Sequence, residues 1–155
     1  MNLEKLNKLL ILFANFGVLV GIIFLALEIQ QNTTMMRAST RDSMTQQLTE
    51  WQLAIATDPE TAQLYQKGNT EGFGGLERTQ AENISYGLIA NSIFRIWENE
   101  FYQYRLGLFD DHEFIPRMER WEQNLRSNSG YRDVWSFTRS QFSTDFQQLI
   151  DSFID

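Results

Sequence analysis

Residues Leu9 to Leu27 read LLILFANFGVLVGIIFLAL, nineteen positions without a charge. At ~1.5 Å per residue a helix of that length spans about 28 Å, close to the ~30 Å hydrocarbon core of a bilayer. Charges stand only at its edges, Glu4, Lys5 and Lys8 before it and Glu28 after it. Two other readings fit less well. A cleaved leader has an apolar run of about 7–15 residues and a small-x-small cleavage site. This run is longer, and Leu25-Ala26-Leu27 is a poor site. A core helix of a small domain keeps a polar stripe toward solvent, and the one polar side chain here is Asn15. The segment is therefore expected to cross a membrane, with residues 1–30 as the anchor and 31–155 as an extramembrane domain.

Its flanks predict an orientation. Lys5 and Lys8 crowd the N-terminal side, whereas Arg37 and Arg41 are the first positive residues beyond. An excess of Lys and Arg marks the cytoplasmic side. The N-terminus is thus expected on the cytoplasmic side and the domain outside, periplasmic if the membrane is a Gram-negative inner membrane. Within the span, Gly17 and Gly21 form a G-x-x-x-G pair that lets a second helix approach closely. Asn15 places an amide at a depth where it seeks a partner. At ~100° per residue, the two glycines point about 200° and 240° away from Asn15. The helix is expected to meet protein on two sides, either other integral-membrane subunits or further copies of itself. The plainer alternative is that Asn15 bonds its own backbone and the glycines touch only lipid.

The whole-chain averages hide this segment. Its 155 residues have a mean hydropathy of −0.35 and a pI near 4.7. The first 28 residues carry two Lys and two Glu, so the net charge of −7 resides entirely beyond them. An acidic domain is a poor nucleic-acid binder. The absence of Cys removes disulfides, thiolate metal sites and a Cys nucleophile, and His112 is the single imidazole. The first 28 residues hold three aromatic rings and the rest eighteen. That density predicts a ring-rich core, with a pocket or an interface as the alternative.

Beyond the span the pattern is helical throughout. No Pro or Gly interrupts residues 22–58, and Met44, Leu48, Trp51 and Ile55 recur on one face. One helix is expected over about residues 3–56. Asp58-Pro59-Glu60 restarts a short helix, expected to stop at Gly68, with a loop over 68–75. Thr79 and Glu82 form a capping box for a helix bearing Ile89, Ile93, Trp97, Phe101, Tyr104 and Leu108, and ending near 105–107. Asp110-Asp111 opens a helix with Met118, Trp121 and Leu125 on one face, where Pro116 predicts a late start or a kink. A turn is expected at Asn128-Ser129-Gly130. A short helix should follow from Tyr131 to Gln141, carrying Val134, Trp135 and Phe137. Ser143 caps a last helix with Phe146, Leu149, Ile150 and Phe153 inward. The expected fold is all-α: a transmembrane helix continuing into a small helical bundle.

Several segments together resemble a group of small bacterial proteins with one N-terminal membrane helix and a helical domain. They are the membrane exit Gly21-Ile22-Ile23-Phe24-Leu25-Ala26-Leu27-Glu28-Ile29-Gln30-Gln31-Asn32-Thr33 and the segment Glu98-Asn99, Tyr102-Gln103-Tyr104-Arg105, Gly107-Leu108. Gly130, Arg132 and Trp135, then Phe142, Ser143 and Phe146, extend the likeness. Ser129, Val134 and Thr144-Asp145 depart from the group's Pro, Trp and Pro-Glu. The resemblance implies a fold and a topology and no activity.

Candidate chemistry is sparse. Asp110-Asp111-His112-Glu113 concentrates metal-ligand types, but consecutive helical side chains diverge and acids belong at a helix start. Glu98, Tyr102 and Arg105 share one helix face at i, i+4, i+7. They suit either a grip on a small polar ligand or a stabilising Glu–Arg pair. The neighbouring acids Glu98 and Glu100, and Asp110 and Asp111, are ordinary in an acidic chain. Gly72-Phe73-Gly74-Gly75 lacks the Lys and Ser/Thr of a phosphate loop, and no nucleophile elbow or dinucleotide fingerprint occurs. The sequence thus predicts no enzyme and no cofactor. Its expected role is an accessory or scaffold subunit of a photosynthetic, respiratory or transport complex. A membrane-tethered sensor or ligand-binding domain, and a homo-oligomeric membrane protein, are the alternatives.

Overall fold

The computed structural model describes residues 3–72 and 79–154. Among them the chain forms six helices and no strand: α1 (Leu3–Ala56), α2 (Pro59–Glu71), α3 (Gln80–Arg105), α4 (Asp111–Ser127), α5 (Ser129–Thr138) and α6 (Thr144–Ile154). A 3-10 turn, Arg139–Gln141, follows α5. The chain divides into two compact units, Met1–Ser39 and Thr40–Asp155.

The first unit is the N-terminal part of α1. Every residue from 7 to 39 is exposed. The helix is long and apolar enough to cross a membrane, and none of its apolar window is buried. Where polarity rises, the Thr33 and Thr34 hydroxyls donate to the carbonyls of Ile29 and Gln30 at 2.9 and 3.0 Å. These side chains satisfy themselves on the helix and do not end it.

The second unit is a bundle around aromatic rings. Phe94 of α3 is fully buried and meets Trp97, Tyr131, Trp135 and Phe142 at centroid distances of 5.1 to 6.2 Å. Edge and tilted contacts of this kind add about 0.5–1.5 kcal/mol each to area burial. Met44 of α1 is buried, Leu48 and Trp51 pack on the core, and the Trp51 indole donates to the Ile89 carbonyl at 3.1 Å. The i, i+4, i+7 face of the sequence pattern is thus the face that packs.

Local signals end most helices where the sequence places them. Asp58 caps α2 through Glu60 N and Thr61 N, and the Thr79–Glu82 capping box is complete. At the C-terminus of α3, Gly107 adopts φ +71°. Its N–H bonds the Tyr104 carbonyl while Leu108 N–H bonds the Gln103 carbonyl. This paired pattern closes a helix through a left-handed residue that only glycine adopts cheaply. Glu113 N and Phe114 N both bond the Asp110 carbonyl, so α4 starts at Asp111 and runs on through Pro116. Its last carbonyls, of Leu125 and Arg126, accept from Arg132 Nη1 at 2.5 and 2.9 Å.

Three expectations are corrected. Helix α2 does not stop at Gly68 but reaches Glu71, and Gly72 at φ +80° lies at its end. Gly68 is an interior contact point, because a Cβ there would fall closer than 3.0 Å to the Tyr86 ring. Likewise Ser129 and Gly130 form the first turn of α5, which ends at Thr138 before the 3-10 turn. Gly130 is buried by close packing and makes no turn. Phe137 is 71% exposed, whereas Val134 and Trp135 are buried. Residues 73–75 of the expected loop lie outside the described residues.

Candidate ligand site in the helical domain

A cleft of about 460 Å³ opens in the second unit. Trp51 from α1 and Tyr65 from α2 form one wall, with ring centroids 5.6 Å apart and edge to face. Trp97 from α3 and Trp121 from α4 form another, stacked at 5.4 Å and 16°. Tyr131 from α5 closes the inner end and shares a hydroxyl–hydroxyl hydrogen bond with Tyr65. Burial, together with Tyr65, pushes the Tyr131 phenol far up, so it stays protonated.

Glu100 and Arg117 bring charge to these rings. Glu100 is 2% exposed, and Arg117 Nη1 donates to its Oε1. Burial raises the Glu100 carboxyl above its ordinary value, and the Arg117 guanidinium opposes that shift without cancelling it. Desolvating two charges costs several kcal/mol per ion before attraction returns it. Arg120 also lines the cleft. It donates to Gln123 Oε1 at 3.1 Å, and among the described residues no carboxylate pairs with it. The three charged side chains of the cleft therefore sum to +1. The cleft thus sets the half-buried rings of Trp51 and Tyr65 beside a net positive charge.

Glu98, Tyr102 and Arg105 line a second, shallower hollow of about 310 Å³ with Arg95 and Ser143. Glu98 and Arg105 do not pair with each other. Glu98 accepts from Ser143 N at 2.7 Å and from Arg95 Nη1 at 3.2 Å, so it ties α3 to the start of α6. Arg105 pairs with Asp145 in the first turn of α6. Tyr102 is 57% exposed. The acids around His112 go separate ways: Asp111 accepts from the Tyr104 hydroxyl at 2.9 Å, and Glu113 pairs with Arg41. Among the described residues no three His, Asp or Glu side chains are grouped to hold a metal.

Asn15, Gly17 and Gly21 belong to the first unit, and all three are exposed. A Cβ at either glycine meets nothing within 4 Å.

The sequence offers a ring-lined pocket only as an alternative and sets Glu100 only beside Glu98; its pairing with Arg117 has no counterpart there. One signal was present. Glu100 follows Ile93 and Trp97 at i+7 and i+3, a lone acid on the apolar ladder of α3. A charge on a buried stripe demands a partner, and Arg117 supplies it. No family model matches the chain, and comparison with curated proteins and with solved structures finds no similar protein.

Proposed function

We propose that the protein is a single-pass membrane protein serving as an accessory or scaffold subunit of a larger membrane complex. The observation that carries this reading is the exposed apolar stretch of α1 over residues 9–27, in which Gly17, Gly21 and Asn15 face open space. A surface of that extent is stable only when lipid or protein covers it. Lys5 and Lys8 favour a cytoplasmic N-terminus and a periplasmic domain in a bacterial inner membrane. Integral-membrane partners, or further copies of the chain, are the natural covers of the glycine and asparagine faces. The role is one of interaction and not of catalysis. Carbonate washing of native membranes, followed by mild extraction and sizing, tests it: the chain should resist the wash and leave in a multi-subunit particle.

A second reading, a tethered ligand-binding domain, is favoured by the cleft between Trp51, Trp97 and Trp121. The two readings are compatible, since one concerns the first unit and the other the second.

A further inference from the structure

We propose that the cleft of the second unit binds a small organic anion, an apolar and preferably flat body bearing one carboxylate, with its acid group on Arg120. The inference deepens the ligand-binding reading and does not depend on the membrane role.

Size is the first argument. About 460 Å³ falls within the ~300–1,000 Å³ of small-molecule sites. Here rings from five helices line a space that opens to solvent. Trp97, Trp121 and Tyr131 are buried, so the half-buried Trp51 indole and Tyr65 ring, set edge to face, are the apolar surfaces that a planar body meets.

Charge selects among ligands. A cationic ligand would need Glu100, but that carboxylate is already engaged by Arg117. A cation would then meet two guanidinium groups. A neutral apolar ligand would gain nothing from Arg120, an exposed side chain that keeps its Gln123 partner and water. A carboxylate completes the set, since guanidinium binds it through paired N–H donors and gains more than from a neutral acceptor. The Tyr65–Tyr131 hydroxyl pair spends one of its two O–H hydrogens internally, which leaves the other as a donor.

The test uses the full chain in lipid nanodiscs, with 2-naphthoate as probe, titrated calorimetrically against empty nanodiscs. The expected result is one-to-one binding at least tenfold tighter than that of 2-naphthylmethylammonium. Arg120→Gln should weaken 2-naphthoate at least tenfold. Arg126→Gln, which removes an exposed arginine paired with Glu122 outside the cleft, should leave it unchanged. Absence of binding, equal or tighter binding of the ammonium probe, or unaltered affinity in Arg120→Gln would overturn the proposal. Each of those outcomes leaves the membrane reading standing.

Discussion

The carbonyl of Gly68 on α2 lies against Gly130 on α5, so closely that a Cβ at Gly130 would fall within 3.0 Å of its oxygen. The Tyr86 ring covers Gly68 from α3, and its hydroxyl donates to Asn69 Oδ1 at 2.8 Å. Three helices therefore meet at two missing side chains. In an exposed helix interior, Gly→Ala stabilises by about 1 kcal/mol. At Gly68 and Gly130 the sign should reverse, because overpacking costs roughly 1–3 kcal/mol or more. Urea unfolding followed by circular dichroism should give lower midpoints for Gly68→Ala and Gly130→Ala. Gly17→Ala, where a Cβ meets nothing, should leave the domain's midpoint unchanged.

Glu100 should give the domain a pH dependence of unusual sign. Its folded carboxyl is raised above the ordinary value of 4.5, chiefly by burial. Between the two values the folded state holds more protons than the unfolded one, so stability falls as pH rises through that window. The contribution is fully present below about 4.5 and is lost above the raised folded value. Glu100→Gln should flatten this slope in unfolding midpoints measured across the acid range. Glu100→Ala should cost about 3 kcal/mol at neutral pH, at the lower end for a broken buried pair, because Arg117 keeps access to water.

Asp151 works in the opposite direction. Its carboxylate accepts Arg139 Nε and Nη2 and the Trp135 indole N–H at 3.0 Å. The Arg139 hydrogen bonds, helped by Trp135, hold it below its ordinary 3.8. A lowered folded value contributes stability that is present above 3.8 and is lost as pH falls through the folded value. Asp151→Asn should remove this acid limb. Asp151→Ala should also strand the half-buried Trp135 N–H, at a cost of about 1–3 kcal/mol in chemical denaturation.

Legibility in the sequence followed the range of the interactions. Helix ends set within one turn, such as Thr79 with Glu82 and Gly107 after Arg105, were readable from neighbouring residues. So were the inward faces carrying Trp97, Trp121 and Phe146, since periodicity reports burial. Gly68 and Gly130 misled because a glycine that ends a helix and a glycine that admits a neighbour look alike in one dimension. Only the Tyr86 ring and the Gly68 carbonyl, both distant in sequence from Gly130, distinguish them. The cleft was hidden for the same reason: its rings come from residues 51 to 131, and Arg117 reaches Glu100 from another helix. Glu98 and Arg105 share a face as read, but each found a nearer partner on α6 or beside it.

Asn15 separates anchoring from assembly. Replacing one amide with Leu makes the span more apolar, so Asn15→Leu should remain in carbonate-washed membranes. If the amide meets a neighbouring helix, the variant should lose about 0.6–1.7 kcal/mol of association. A smaller particle on sizing after mild extraction would report that loss.

The most direct measurement is the mass and composition of the particle that carries this chain out of its native membrane under gentle extraction. The account predicts an 18.2 kDa chain held in the membrane fraction and released with at least one different integral-membrane protein in fixed ratio. A chain recovered in the soluble fraction, or extracted alone as a monomer, would contradict it.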